Sequence, residues 1–552
     1  MPDILIKNGM IIDGTGKEGF KGHVYIKDDK IKQVAHADSA EGKSLLEKEA
    51  SEIFNADGLV VSPGFIDCHN HFDWTLPLPN HQELLYPMIE QGITTVVSGN
   101  CGFTPFPVSN DTKDLVEEYA NFFLETPLPY EWEDTGGFLK YLESNGGILF
   151  NNAQLIGHGT IQLNETKSFT DPPTADQMSN MISSTNKAFD QGALGLSLGL
   201  MYPPGIFSPQ DDLKKLARIT AERDRLLTVH IKALSNYSGS YPIIPFLGRA
   251  HNLKALDEII AIALETKVKL QISHFIFVGK KSWKTVDKAI RLIEKGMNKG
   301  LEVMWDIYPH FCGNSYLSVF LPAWFIENLD TNIEDPAALK KLKFELRLAR
   351  FLVGLELEQI YIMDAKYPEG EKYNGLNLLE ISQLENMEVI ETLLMIVKKS
   401  RGQALQLTYG YSGDNENEWL IEKIMSHECC LFETDTIMLS QGFPNPASYG
   451  AFPRILGRFV REKQTLNLSE AISKMTGKTA QWMGIPNRGE IKPGNFADIV
   501  MFNPDTIADN TTLKDTAKKP TGIEKVFVNG EITVMDGCYL KGKKPGKVLR
   551  AE

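Results

Sequence analysis

The chain has 552 residues, of which 42% are hydrophobic and 23% charged. That is ordinary globular composition; it excludes a mostly disordered chain and supplies a large core without disulfide staples. Lys plus Arg number 57 against 71 Asp plus Glu, and the net charge of -14 argues against a broad phosphate-binding face, so no nucleic-acid partner is expected. No run of about 20 apolar residues is present, so no membrane span is expected. The start, MPDILIKNG, lacks the basic and apolar regions of a secretory signal. Six cysteines (68, 101, 312, 429, 430 and 538) are too sparse for a disulfide framework and point to the cytoplasm. Length divided by about 150 allows three or four domains, unless one large barrel takes most of the chain.

Residues 1–62 read as short strands. Ile4–Ile6 and Met10–Ile12 flank an Asn8-Gly9 turn, and Val24–Ile26 runs into the turn Lys27-Asp28-Asp29-Lys30. The middle alternates strand-length apolar runs with helix-like stretches. The runs are Thr94–Val97, Gly195–Leu200, Leu226–Val229, Val268–Ile272 and Leu301–Trp305; the helical stretches are Ser208–Arg223, Leu253–Thr266 and Trp283–Lys299. Such alternation predicts parallel βαβ units, with a (β/α)8 barrel as the leading solution at this length. Between about 310 and 408 the alternation weakens, and charged helical segments such as Pro336–Leu355 suggest an insertion or lid. Residues 483–552 return to the texture of the start: Ala497–Phe502 is apolar, and Glu524–Val528 and Glu531–Val534 surround the turn Asn529-Gly530. The two β-rich ends are expected to build one small sheet domain around a barrel spanning 63–482.

The sharpest chemical feature is PGFIDCHNH at 63–71. His69 and His71, two apart after an apolar run, face the same side of a strand and could reach one metal. His230 ends LLTVH and His274 ends LQISH, both at the C-terminal ends of predicted strands, where barrels carry their active groups. Singly, such histidines are most often satisfied core residues. Four of them converging on one barrel mouth point instead to Zn²⁺ or another first-row metal. Cys101, after ITTVVSGN, reads either as a small buried hydrophobe or as a thiolate ligand. Asp435, in CCLFETDT, is a turn residue or a carboxylate able to bind metal and shuttle a proton.

With these residues in view, the chain resembles the amidohydrolase superfamily and, within it, the N-acyl-D-amino-acid deacylase (D-aminoacylase) family. The resemblance runs nearly end to end: GFIDCHNHFD (64–73), QGITTVVSGNCG (91–102), GHGT (157–160), GALGLSLGLMYPP (192–204), VHIKA (229–233), ISHFIFVG (272–279), DIYP (306–309), FPRILGRFVRE (452–462), KMTGKTA (474–480), RGEIKPGNFADIV (488–500) and GKVLR (546–550). It implies an α/β fold, a distorted (β/α)8 TIM barrel with a small β-sandwich built from both termini. It implies a tightly held zinc on Cys101, His230 and His274, and a second, weaker position on His69, His71 and Asp435, with Cys101 bridging. The implied reaction is hydrolysis of a small-molecule amide by metal-activated water, with Asp435 taking the water's proton and returning it to the leaving amine. Tyr308 is a candidate for holding the substrate's carboxylate or carbonyl, and reads equally as a packed barrel-rim tyrosine.

Three departures bear on substrate. Ile276 stands where the family has the lysine of SHxK. Glu433-Thr434-Asp435-Thr436 replaces a GSDG-like turn, and Asn445-Pro446-Ala447 replaces HPR, whose arginine helps bind the substrate carboxylate. Arg454, nearby, is kept as a candidate substrate-binding cation. Losing a lysine and an arginine removes two partners for an anion. A cyclic-amide or peptide-bond hydrolase of the same superfamily is therefore the second reading. A non-catalytic scaffold is the third, disfavoured because all six candidate ligands are present.

Overall fold

The computed structural model describes residues 3–551 apart from 125, 239, 242–247 and 327. It is an α/β fold with four sheets. Among the described residues, no helix is long and apolar enough to cross a membrane.

Strands from both ends of the chain share a nine-stranded sheet, in which Val60–Pro63 lies between Ile4–Ile11 and the antiparallel Ile499–Phe502. Alternate residues Ile4 and Ile6, Val24 and Ile26, and Ile499 and Met501 enter one apolar cluster with Val61 and Phe527, as a half-buried sheet requires. Two of the expected turns form. Lys27–Lys30 joins Phe20–Lys27 to Lys30–His36, and Asn529-Gly530, with φ of 50° and 79°, closes the hairpin Ile523–Val528 with Glu531–Met535. The Asn8-Gly9 pair does not make a hairpin. Ile4–Ile11 is one strand with a register shift between Ile6 and Gly9; Asn8 takes φ 65° and its N–H donates to His23 Nδ1. A bulge uses the same left-handed conformation as a hairpin turn, so Asn-Gly fits either.

The middle of the chain holds two all-parallel sheets. One runs Cys430–Phe432, Val303–Ile307, Lys269–Ile272, Leu226–His230, Gly195–Gly199, Ile156–Gly157; the other runs Val548–Leu549, Asn151–Gln154, Ile93–Ser98, Phe65–Asp67. Only Leu155 separates Asn151–Gln154 from Ile156–Gly157, so one line of chain belongs to both sheets. Its first half pairs with the C-terminal strand and its second half with Gly195–Gly199. Leu226–His230 is buried at every position, as expected where helices cover the outer face. The helix Gln210–Glu222 shows how: Leu213, Leu216, Ala217 and Thr220, one face at helical spacing, are its buried residues.

The stretch after 310 has its own architecture. Cys312–Tyr316, Leu405–Tyr409 and Ile360–Asp364 form an antiparallel sheet. The helix Pro336–Val353 begins with an Asp335 cap and a proline in its first turn, and stops at Gly354 with φ 74°. Leu317, Phe325, Leu342, Ile360, Ile362 and Tyr373 lie in a hydrophobic cluster distinct from that of the parallel strands. The segment meets the strand-end loop after His274, where Phe277 N donates to Ser412 Oγ and Gly279 N to Gly410 O.

Candidate metal centre

The ends of the parallel strands bring five predicted ligands together. Cys101 Sγ lies 3.2 Å from His69 Nε2, 3.6 Å from His230 Nδ1 and 3.4 Å from His274 Nε2. Two ligand groups, each with its donor atoms within 4.8 Å of one another, share that sulfur: His69, His71 and Cys101, and Cys101, His230 and His274. All five residues are buried. Asp435 completes the constellation, its Oδ1 3.5 Å from His69 Nε2 and 3.6 Å from His71 Nε2; its side chain is 24% exposed, so it is the member of the set most open to solvent.

The donor set fits zinc. Tetrahedral zinc with bonds of about 2.3 Å to sulfur and about 2.0–2.1 Å to nitrogen holds the two atoms about 3.5 Å apart. The sulfur–nitrogen separations of 3.2–3.6 Å match that spacing. Burial alone would push the Cys101 thiol up, but the imidazoles of His69, His274 and His230 outweigh it and hold the thiol well below its usual value, as a thiolate ligand requires. Burial likewise raises Asp435, yet His71, His69 and His274 leave its carboxyl below the usual range and ionised.

Local backbone is strained where the chemistry sits. Cys101, His274 and Asp435 take φ of 55°, 32° and 46°. Non-glycine residues in that region cost of order 1 kcal/mol each and persist only where the surroundings enforce them. The enforcing contacts are visible. Tyr202 Oη donates to the Cys101 carbonyl at 2.6 Å, and Asp306 Oδ1 accepts from the His274 N–H. Asp67 Oδ1 accepts from His69 N at 3.3 Å and Thr434 N at 3.0 Å, while its Oδ2 accepts from Thr434 Oγ1 at 2.6 Å.

Sequence reasoning misses Asp306, Glu433 and Asp67, although each is a carboxylate at a strand end. Asp306 Oδ1 lies 3.3 Å from His69 Nδ1, and its Oδ2 accepts from Gln271 Nε2; Glu433 Oε2 lies 3.0 Å from the same His69 nitrogen. An aromatic layer covers one side of the centre: Phe123 stacks on His71 at 4.3 Å, Tyr202 lies 5.2 Å from His230, and Phe122 reaches Tyr316 of the inserted segment at 5.2 Å.

Tyr308 is fully buried, and burial followed by the charge of Asp435 pushes its hydroxyl well above the usual value, keeping it a neutral donor. Arg454 is engaged by protein groups. Its Nε donates to the Pro309 carbonyl at 2.8 Å, and its terminal nitrogens stand 3.5 Å from Glu418 and 3.5 Å from Asp509. None of these belongs to the histidine–cysteine cluster. Both carboxylate side chains are buried, and the guanidinium lines a cavity of about 420 Å³ with His310, Phe311, Thr511 and Lys514. Ile276 and Ala447 are buried and apolar, at 6% and 0% exposure, so neither position carries charge.

Comparison with known proteins agrees with this geometry. A family model described as "Amidohydrolase family" matches residues 52–125 and 429–534, the segments carrying His69, His71, Cys101 and Asp435. The chain is similar to an N-acyl-D-glutamate deacylase of Alcaligenes xylosoxydans xylosoxydans, at 27% identity over 552 residues that cover 100% of this chain and 97% of the relative. Its fold is similar to the crystal structure of N-acyl-D-glutamate deacylase from Bordetella bronchiseptica complexed with zinc and a phosphonate mimic of the tetrahedral intermediate, with TM-score 0.79, 27% identity and full coverage of both chains. A D-aminoacylase studied for its binuclear metal centre matches over the full length of both chains with TM-score 0.79 and 25% identity. The chain is thus similar from end to end, in sequence and in fold, to N-acyl-D-amino-acid deacylases, and two of its segments match the amidohydrolase family model.

Proposed function

We propose that the protein is a zinc-dependent hydrolase cleaving the amide bond of an N-acyl amino acid, of the D series by analogy with its relatives, or of a related small amide. The observation that carries this reading is the sharing of one buried sulfur, Cys101 Sγ, between two sets of imidazole donors. Cys101, His230 and His274 would hold the tighter zinc; His69 and His71, with Cys101 bridging and Asp435 beside them, would hold the weaker one. The two parallel sheets are read as one distorted (β/α)8 barrel, opened where the C-terminal strand pairs with Asn151–Gln154. The nine-stranded sheet is read as the sandwich contributed by residues 1–62 and 483–552, and the segment near 310–408 as a lid.

Zinc at this centre would supply Lewis acidity, polarising the scissile carbonyl and acidifying water. The protein's part is to orient and to move a proton. Asp435, ionised, directed by the His71 contact and partly open to solvent, takes the proton from the attacking water and returns it to the departing nitrogen. That return is required because an amide anion is too poor a leaving group to depart unprotonated. Tyr308, held neutral, is available to donate to a substrate oxygen. The aromatic layer over His71 and His230 excludes water from one side. A cytoplasmic setting suits a centre built on a free thiolate.

A second reading, hydrolysis of an amide lacking the free α-carboxylate, is favoured by the buried apolar residues Ile276 and Ala447 at the two positions that carry cations in the family. Assaying the zinc-loaded protein on N-acyl-D- and N-acyl-L-amino acids, each with free and blocked α-carboxylate, separates the two. Deacylation that requires the free carboxylate supports the first reading, and indifference to it supports the second. No hydrolysis of any of these by zinc-loaded protein would defeat both.

A further inference from the structure

Glu433 is completely buried, and neither of its carboxylate oxygens takes an aligned hydrogen bond among the described residues. Its Oε2 stands 3.0 Å from His69 Nδ1, while the aligned hydrogen bond of that nitrogen runs to Asp306 Oδ1 at 3.3 Å. Asp306 is itself held from behind: it accepts from the His274 N–H and from Gln271 Nε2, and Gln271 Oε1 accepts from Trp482 Nε1 at 2.6 Å. One ring nitrogen of His69 thus bonds Asp306 and has the Glu433 carboxyl 3.0 Å away, while the other faces Cys101 Sγ and Asp435 Oδ1. Burial and the charge of Asp306 push the Glu433 carboxyl well above the usual glutamate range, and a buried acid group without aligned donors is costly wherever it does no specific task. Glycine occupies this turn position in the GSDG-like family pattern, so the fold itself does not demand an acid here.

We propose that Glu433 is a positioning residue: together with Asp306 it fixes the His69 ring through Nδ1, aims Nε2 at the outer metal position, and so raises zinc occupancy of the His69–His71 side of the centre. The proposal rests on the metal-centre reading above. A carboxylate behind a ligating imidazole fixes its orientation and raises its donor strength, and loss of such a partner costs roughly 10–100-fold in metal affinity. Among the described residues no hydrogen bond or ion pair joins Glu433 to the inner set of Cys101, His230 and His274, which keeps its zinc.

The test is zinc stoichiometry and chelator competition on the full-length wild type, Glu433→Gln and Glu433→Gly, together with the visible spectrum of the cobalt-substituted proteins. The expected result is one tightly held zinc in all three, with the affinity of the second weakened roughly 10–100-fold in Glu433→Gly and less in Glu433→Gln, which retains an oxygen acceptor. The cobalt spectrum of the tight site should be unchanged, which also shows that the variants are folded. Equal second-site affinity in all three, or a wild type that binds a single zinc, would overturn the inference and leave the hydrolase reading standing. A wild type that binds no zinc or cobalt would overturn both.

Discussion

The Asp435 main-chain N–H donates to the His69 main-chain carbonyl at 3.0 Å, tying the end of the last parallel strand to the end of the first at the point where each carries a site residue. Asp67 reinforces the tie by accepting from His69 N, Thr434 N and Thr434 Oγ1. Replacing Thr434 by valine keeps the shape and removes one donor from a fully buried carboxylate. Thr434→Val is expected to lower unfolding stability by about 1–3 kcal/mol, the range for leaving a buried acceptor without its donor, with Thr434→Ser recovering most of it in denaturant titrations.

Cys101 is the atom that both ligand groups share, so its loss should act on both. Cys101→Ala is expected to strip the tight zinc and to lower total zinc toward zero in metal analysis of purified protein. Wild-type zinc content in that variant would remove the sulfur from the ligand set.

Asp435 touches the histidines of the outer position but none of the three tight-site residues at hydrogen-bond distance. Asp435→Asn should therefore retain the tight zinc while kcat falls by about a hundredfold to ten-thousandfold, the usual worth of a positioned general base and acid. Paired metal and rate measurements on one preparation check this.

The Ile276 side chain is buried two residues beyond His274. Ile276→Lys restores the cation of the family pattern and is expected to raise kcat/KM for N-acyl substrates with acidic side chains relative to neutral ones. It should also cost stability, since a lysine there must be desolvated. An unchanged ratio of the two kcat/KM values would mean that position 276 does not face the substrate.

Glu418, at the start of the helix Trp419–Met425, pairs with Arg454, Arg458 and Lys463 of the helical stretch after Ala447. Burial would raise its carboxyl, but the hydrogen bonds of Arg458 and Lys463 outweigh that and depress it below the usual glutamate range. Because the folded-state value is the lower one, the stabilisation is present at neutral pH and is lost as pH falls through the depressed value. Glu418→Gln should destabilise by about 1–3 kcal/mol at pH 7, less than for fully buried pairs because its partners are part exposed. The gap from wild type should narrow below about pH 4, close to the ordinary glutamate value. Thermal melts at the two pH values measure it.

Several site residues are legible in the sequence itself. His69 and His71 are expected on one face of a strand, but the strand Phe65–Asp67 stops short of them and both sit in the segment that follows, whereas His230 closes Leu226–His230 and His274 lies two residues past Lys269–Ile272, at the ends the apolar runs mark. Chain-local chemistry also predicts the hairpin at Asn529-Gly530, but it misreads Asn8-Gly9, because a left-handed residue serves a bulge as well as a turn.

What the linear sequence determined is which residue types end which strands, since alternation and burial are properties of a few neighbouring residues. The tertiary structure alone decided which carboxylate meets which imidazole. Asp306 and Glu433 lie 237 and 364 positions from His69 along the chain, yet reach the same nitrogen. Arg454, a candidate for substrate in the sequence, is engaged by Glu418 and Asp509. Pairings of this kind are set by the closure of the sheets and by competition among buried charges at a few ångströms, and no local pattern encodes either.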